Sequence, residues 1–276
     1  ERVSQIVSCN KVLVLKAHQK IIRENKAEES VSQDRFGQTN LFGDWWKELD
    51  IDIKKAVVKE VPYETAKNII LEYEWLGGMP AISWYCYGIY FDGACGGVVV
   101  YGQEYGENLG LWDKYDYTGK IILLARGACV HWAHPHSASK LISASIKMLP
   151  EKYKVVTATV DELAGEIGTI YQACNFDYIG SMRENNPNIK NPNGNRFGVK
   201  INGKLYGARS MRQKVGSQRK ADILKAFPDA EFVPQKSKKR YFFFRGNKKE
   251  RNYFKSKIEK FIKPYPKRTV SENKDQ

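Results

Sequence analysis

Two apolar runs separated by a tight turn constrain the fold more than any other feature of this chain. Trp84–Phe91 and Cys95–Gly102 are rich in aromatic and β-branched side chains, and Asp92-Gly93 lies between them. Asp-Gly between such runs is typical of a hairpin turn whose residues have positive φ. We therefore predict a β-hairpin over residues 84–102. Glycines in its second strand predict a bulge or a close backbone approach.

The segments that follow the hairpin alternate between strand and helix patterns. Lys120–His131 is a long apolar run, Lys140–Leu149 has an amphipathic helical pattern, and Tyr153–Thr159 is rich in β-branched residues. A helix over Glu166–Cys174 and a strand over Phe176–Gly180 complete the series. This order predicts an α/β fold, with a mixed central β-sheet flanked by helices.

Charge is distributed unevenly along the 276 residues. Residues 181–276 carry 26 basic and 8 acidic side chains, a net charge of +18, whereas residues 1–180 carry a net charge of −4. A cationic segment of this kind predicts a polyanionic partner, first of all double-stranded DNA. The alternative is a basic surface that only keeps the protein in solution.

Cysteine usage and hydropathy indicate where such a chain works. The five cysteines include no CxxC pair, and several lie inside apolar runs, which is typical of reduced cysteines in a cytosolic protein. No run approaches the roughly 18 uncharged apolar residues that a membrane span requires. We expect a cytoplasmic protein that does not interact with a membrane.

A serine-containing turn joins the apolar strand to the helix over Lys140–Leu149. Helix N-termini present free backbone N–H groups, which bind anions such as the pyrophosphate of a cofactor. His136, Ser137 and Ser139 are the candidate cofactor-binding residues, and either serine is a natural N-cap. An ordinary capped helix is the alternative, because no glycine-rich fingerprint is present.

Three histidines within six residues, His131, His134 and His136, form an HxxHxH pattern. They are candidate ligands of a transition metal. The stronger alternative is that one packs at the strand end and the others face solvent or a phosphate, because no carboxylate ligand is nearby in sequence.

The helix tyrosine Tyr171, followed at once by a strand, resembles the C-terminal signature of the GNAT N-acetyltransferase fold. In that family this tyrosine often protonates the departing CoA thiolate. Several segments together resemble a narrower group, the bacteriophage Mom DNA-modification proteins. The segments that carry this resemblance are Leu76–Pro80, Gly88–Gly102, Arg126–Cys129, Asp161 and Gly168–Gly180.

The resemblance implies conversion of adenine in DNA to N6-carbamoylmethyladenine, which shields phage DNA from host restriction nucleases in the bacterial cytoplasm. It implies Arg126, Asp161 and Tyr171 as catalytic residues, acetyl-CoA as a candidate cofactor, and iron or another transition metal as a second candidate. Members carry a His-Tyr pair where this chain has Glu74-Trp75.

Physical chemistry allows two interpretations of the three catalytic candidates. Arg126 on a buried strand needs an anionic partner, and Asp161 at a strand end is either that partner or a base that positions an amine. Tyr171 is an acid or a hydrogen-bond donor. The alternative is a structural Arg–Asp pair capped by the tyrosine hydroxyl.

Access to adenine N6 requires that the base leave the duplex stack. The aromatic candidates to line its pocket are Trp75, Trp84 and Tyr85, with core packing as their default role. The candidate DNA contacts in the basic segment are Arg212, Lys214, Lys239 and Arg240. We expect the aromatic run Tyr241–Phe244 to be a packed strand and the last 20 residues to be a frayed tail.

We predict three regions in the chain: a helical and linker extension over 1–50, a GNAT-like catalytic core over 51–180, and a basic part over 181–276 that completes the fold and contacts DNA. The leading functional prediction is a DNA adenine-modifying transferase. One alternative is a CoA-dependent N-acetyltransferase acting on an amine of a nucleic acid or protein. The other is a DNA-binding protein without enzymatic activity.

Overall fold

A computed structural model of the protein describes residues 45–74, 78–161, 166–181, 197–234 and 237–267. The strands are β1 (Val57–Glu60), β2 (Tyr85–Phe91), β3 (Ala94–Gly102), β4 (Ile121–Cys129), β5 (Val155–Val160), β6 (Asp177–Gly180), β7 (Phe197–Ile201), β8 (Lys204–Tyr206), β9 (Glu231–Pro234) and β10 (Lys239–Phe244). The α-helices are α1 (Tyr63–Tyr73), α2 (Ser137–Met148), α3 (Thr169–Ala173), α4 (Ala208–Val215), α5 (Lys220–Ala226) and α6 (Lys248–Ser256). Short 3-10 helices cover Trp45–Glu48, Glu107–Leu109, Asp113–Tyr115 and Glu259–Phe261.

Seven strands form one mixed sheet in the order β1-β2-β3-β4-β5-β10-β6. Every neighbouring pair is antiparallel except β4 and β5, which run parallel. Helix α1 packs on one face of the sheet and α2 on the other, because each buries an apolar stripe. The predicted α/β fold class is confirmed. No helix among the described residues is long and apolar enough to cross a membrane.

The predicted hairpin is formed by β2 and β3. Asp92 and Gly93 have φ angles of 46° and 83°, the left-handed pair that a two-residue turn requires. The pairing shifts between Ile89↔Gly97 and Tyr90↔Cys95, so that Gly96 is the extra residue of a bulge. The bulge that the strand glycines predicted is therefore present.

The parallel strands β4 and β5 pair over only part of their length. Pairing runs from Ile121↔Val155 to Leu124↔Ala158. Beyond that point β4 contains a bulge at Ala125, because Arg126 pairs with Val100 of β3 while Leu124 pairs with Tyr101. The two strands stop pairing where the bulge begins, and the candidate site lies around this divergence.

The C-terminal third contributes to two different sheets. Strand β10 lies between β5 and β6, and its aromatic run is buried, as predicted, with Tyr241 and Phe242 fully enclosed. Residues 197–234 instead form a separate sheet of order β8-β7-β9, together with α4 and α5. A small cluster of buried side chains is the core of this second unit: Val199, Met211, Ile223 and Ala230.

Two features of the C-terminal segment differ from the sequence predictions. Helix α6 was not predicted, although Asn247 and Glu250 form a capping box at its start. Residues 257–267 are packed rather than frayed: Ile258 is fully buried, the backbone N–H of Lys263 donates to Tyr178 O at 2.8 Å, and Tyr265 Oη donates to Phe176 O at 2.7 Å. The predicted extension over residues 1–50 lies almost wholly outside the described residues.

Candidate active site

Arg126 extends from β4 at the divergence from β5. Its Nε donates to Gly78 O at 2.9 Å and its Nη1 donates to Ala125 O at 2.7 Å. The half-buried guanidinium thus ties β4 to the connection between α1 and β2. These two bonds use two of the guanidinium N–H groups, and both acceptors are uncharged main-chain carbonyls. The positive charge of Arg126 can therefore still attract a nearby anion.

Tyr171 lies on the short helix α3, which begins directly after Gly168. Its ring is 5.5 Å from the rings of both Phe176 and Tyr241. Burial raises the pKa of Tyr171 well above its ordinary value, and the negative charge of Glu166 adds to this effect, whereas Arg126 opposes it. Tyr171 is therefore a neutral phenol at physiological pH, able to donate a proton or a hydrogen bond.

Asp161 follows the last residue of β5. Its Oδ2 is 3.5 Å from Lys238 Nζ, and its backbone N–H donates to Glu166 Oε2 at 2.8 Å. The described residues include no ion pair between Asp161 and Arg126, so the pairing suggested by sequence is wrong. Lys238, which immediately precedes β10, is the cation that the fold places beside this carboxylate.

Two carboxylates that were not predicted as site residues interact with the predicted ones. Glu166 accepts from the Asp161 backbone and also raises the pKa of Tyr171. Glu74, 5% exposed, also raises the pKa of Tyr171, whereas Arg126 lowers it. The sequence signal for Glu74 is its place in the Glu74-Trp75 pair, where members of the resembled family carry His-Tyr. Glu166 has no such signal, because a single acidic residue in a loop is common.

The N-terminus of α2 differs in detail from the prediction. His136 is the N-cap residue and makes no side-chain capping bond, so neither Ser137 nor Ser139 is the cap. Ser139 Oγ donates to His136 O at 3.0 Å. Ser137 Oγ is fully buried and has no hydrogen-bond partner within the described part of the chain. A buried hydroxyl in this state is a candidate ligand contact.

The three histidines do not assemble into a metal centre. The rings of His134 and His136 are 5.3 Å apart, whereas His131 lies 6.4 Å from the ring of Tyr73. Across the described ranges, no group of three His, Cys, Asp or Glu side chains has a metal-binding arrangement. These residues do not fit the transition metal that the resemblance implied.

The aromatic pocket candidates pack against one another. Trp84 stacks on Tyr153 with ring centroids 6.3 Å apart, and Tyr85 meets the same ring edge-on at 6.0 Å. Trp84 remains 42% exposed. Trp75 lies outside the described residues.

The predicted DNA contacts divide into two groups. Arg212 and Lys214 are exposed on α4, and Lys239 is half-buried at the start of β10. Arg240 forms an ion pair with Glu104, 2.6 Å between Nη1 and Oε1, and its side chain is 14% exposed. Arg240 is therefore a structural residue of the sheet and not the surface contact that the sequence suggested.

The cysteines within the described ranges are free thiols: Cys86, Cys95, Cys129 and Cys174. Burial raises the pKa of the Cys174 thiol, so it is protonated at neutral pH and a poor nucleophile. Cys9 lies outside the described residues.

Comparison with protein families identifies the chain. The Mom protein family matches residues 55–267, more than half of the sequence. The chain belongs to the Mom protein family. This match covers the whole mixed sheet and the three catalytic candidates, and it confirms the predicted resemblance. Family membership supports a role in DNA modification.

Solved structures similar to this Mom-family chain include an IAA acetyltransferase from Bacillus cereus, at 10% identity and a TM-score of 0.35, covering 69% of this chain and 99% of the other. The apo form of an agmatine N-acetyltransferase mutant matches at 10% identity and a TM-score of 0.36, covering 69% and 100%. At such scores the likeness carries no argument about activity. A comparison with curated proteins found no match.

Proposed function

We propose that this Mom-family protein is a transferase that converts adenine in duplex DNA to N6-carbamoylmethyladenine and thereby protects the DNA from restriction nucleases. The observation that carries the proposal is the family match over residues 55–267, which includes Arg126, Asp161 and Tyr171. An anion, a cation and a neutral phenol around the divergence of β4 and β5 are the groups that an amine-modifying reaction requires.

Asp161 is the proposed general base. The exocyclic amine of adenine is a weak, neutral nucleophile, and it must lose a proton as the new N–C bond forms. The Asp161 side chain is 24% exposed at the end of β5, so its carboxylate is accessible to a substrate amine. Lys238 Nζ lies 3.5 Å from Asp161 Oδ2 and orients the carboxylate at this edge of the sheet.

Tyr171 and Arg126 complete the proposed site. Because burial keeps Tyr171 neutral, its hydroxyl donates a proton to the leaving group. Arg126 stabilises negative charge that develops there, because a guanidinium donates several hydrogen bonds in a fixed planar arrangement. Their shared environment is seen in the opposite effects of Glu166 and Arg126 on the Tyr171 pKa.

Acetyl-CoA fits one part of the structure. Helix N-termini attract anions, and the buried Ser137 hydroxyl at the start of α2 lacks a partner among the described residues. The backbone N–H groups of His136 and Ser137 already donate to His134, at 3.1 Å and 2.8 Å. His136, Ser137 and Ser139 would hold the pyrophosphate. When bound, acetyl-CoA would supply an activated acyl carbon, which is the chemistry of N-acetylation. The carbamoylmethyl group would come instead from a donor whose CH2 carbon carries the leaving group that Tyr171 protonates. No metal is included, because the His131, His134 and His136 set does not converge.

The α2 N-terminus also favours a second candidate function, CoA-dependent N-acetylation of an amine on a nucleic acid or a protein. The two functions require the same base and acid, but they differ in product. Acetylation leaves adenine in plasmid DNA unaltered, whereas the proposed reaction adds a carbamoylmethyl group to it.

Nucleoside mass spectrometry on plasmid DNA from expressing cells tests the proposal. We expect deoxyadenosine with a carbamoylmethyl group in place of one hydrogen. Tyr171→Phe should lower its yield by about 100-fold or more. Tyr178→Phe is the matched control, since Tyr178 is a buried tyrosine of the same aromatic cluster, and should leave the yield unchanged. Unaltered adenine in cells that express the wild-type protein well would reject the proposal.

A further inference from the structure

The unit formed by residues 197–234 is an insertion in the mixed sheet. The chain leaves this sheet after β6, forms the small sheet β8-β7-β9 with α4 and α5, and returns as β10. The unit has its own buried cluster, centred on Val199, Met211 and Ile223. An insertion with a separate core has no part in closing the main sheet, so its surface is available for another task.

The inserted unit is strongly cationic. It carries eight basic and three acidic side chains, a net charge of +5. Two of its three acids are engaged inside the unit: Ser217 Oγ donates to Asp222 Oδ2 at 2.5 Å, and Glu231 lies 3.9 Å from Lys200 Nζ.

Several of these cations have no carboxylate within ion-pair distance among the described residues. They lie on α4, on the turn after it and on α5, and all are exposed: Arg212, Lys214, Arg219 and Lys225. Exposed, unpaired cations on two consecutive helices form a surface that fits a row of phosphates.

The aromatic rings of the unit indicate which nucleic acid it fits. Lys220 Nζ lies 5.1 Å and 5.0 Å from the ring centroids of Phe197 and Phe232, and Lys214 Nζ lies 5.0 Å from that of Tyr206. No large aromatic side chain described in the unit is exposed. Binding of unpaired bases depends on accessible rings for stacking. This surface has charge without such rings, which favours the backbone of a duplex.

The unit is connected to the main sheet beside Asp161. Gly180, the last residue of β6, pairs with Arg240, and Lys239, the first residue of β10, pairs with Val160. Both connections therefore leave the sheet at the end where Asp161 follows β5. The chain therefore joins the inserted unit to the main sheet at the proposed catalytic edge.

We propose that residues 197–234 are a docking module for duplex DNA, which contacts phosphates through Arg212, Lys214, Arg219 and Lys225 and holds the duplex beside Asp161. This inference rests on the proposed DNA substrate. It assigns the binding of the duplex and the chemistry to two separate parts of one chain.

The test measures binding of a short duplex to the full-length protein as a function of salt, by fluorescence anisotropy. The variant carries Arg212→Gln, Lys214→Gln and Arg219→Gln. The logarithm of the association constant falls as the logarithm of the salt concentration rises, by roughly 0.9 per phosphate contact. Loss of three contacts should therefore make this slope shallower by about 2.7 and weaken binding about tenfold or more at physiological salt.

A variant with the same loss of charge on α6, Lys248→Gln, Lys249→Gln and Arg251→Gln, is the control and should keep the wild-type slope. An equal fall in both variants would mean that net charge alone attracts DNA, and would overturn the proposal. Tighter binding of a single-stranded RNA of equal length would overturn it as well.

A charge-retaining variant separates contact from folding. Arg212→Lys with Arg219→Lys should keep the wild-type slope, because phosphates accept either cation; failure to do so would show a structural role and refute the module.

The binding assay does not depend on catalysis, so it can be compared with the product assay. A charge-dependent loss of binding in a protein that leaves adenine unaltered would therefore refute the proposed reaction and uphold the docking module. Normal binding by the triple glutamine variant of a protein that does carbamoylmethylate adenine would refute the docking module and leave the proposed reaction standing.

Discussion

Arg240 Nη1 donates to Glu104 Oε1 at 2.6 Å, which joins strand β10 to the segment that follows β3. The Glu104 side chain is fully buried, and Thr157 Oγ1 of β5 donates to its other carboxylate oxygen. The guanidinium lies 5.7 Å from the ring centroid of Trp112. One buried carboxylate therefore links β5 and β10 close to the end of the sheet where Asp161 lies.

Replacing Glu104 with Gln should destabilise the protein. The substitution leaves the Arg240 charge without its counter-ion in a water-poor environment, a loss of about 3–5 kcal/mol in the free energy of unfolding. Urea denaturation measures it. Glu151→Gln removes a carboxylate that is 95% exposed and 3.7 Å from Lys154, and should cost less than about 0.5 kcal/mol. Equal effects in the two variants would contradict the structural role of the Glu104–Arg240 pair.

Local sequence chemistry was sufficient to predict much of the sheet. The Asp92-Gly93 and Asn202-Gly203 turns each require two residues with positive φ, so both hairpins were predictable from a few neighbouring residues. The buried aromatic run of β10 was predictable for a similar reason, since four consecutive large rings need a core.

Long-range pairing was not predictable from the same information. Arg240 and Glu104 are 136 residues apart, and a basic residue beside an aromatic run has the same sequence pattern whether it binds DNA or a buried acid. The partner of Asp161 was missed for the same reason: Lys238 is brought beside it only because β10 inserts next to β5. Helix α6 was missed because its sequence is mostly polar, and its capping box is a short signal within a basic segment.

Gly168 should not tolerate alanine. Its φ of 77° disfavours any side chain, and an added Cβ would collide with the ring of Tyr241, displacing the start of the helix that carries Tyr171. Gly119→Ala is the matched control, because its φ is 73° and nothing lies within 4 Å of the added Cβ. We expect Gly119→Ala to cost about 1–2 kcal/mol of stability. Gly168→Ala should cost more and also reduce activity, measured as modified deoxyadenosine in plasmid DNA; similar values in both assays would contradict the packing described.

Alkaline pH should destabilise the fold through its buried tyrosines. Burial, with Glu60 as the next cause, raises the pKa of Tyr87 to about 12, and burial raises the pKa of Tyr101 and Tyr117 too. In the unfolded chain these phenols lose their protons near pH 10. The folded state therefore retains protons that the unfolded state has lost, and its stability is full below about pH 10 and falls above it. Urea denaturation at pH 8 and pH 11 checks this; equal free energies of unfolding would contradict it.

The most direct test of the account compares two aspartates in matched surroundings. Asp161 directly follows β5 and Asp177 is the first residue of β6. Each pairs with a lysine, and their side chains are 24% and 23% exposed. Only Asp161 is at the proposed catalytic edge, as the base that accepts the amine proton. The measurement is the fraction of carbamoylmethylated deoxyadenosine, by mass spectrometry, in plasmid DNA from cells that express each variant. We expect Asp161→Asn to lower this fraction by about 100-fold or more and Asp177→Asn to leave it at the wild-type level. Equal fractions in the two variants, or no modified adenine with the wild-type protein, would contradict it.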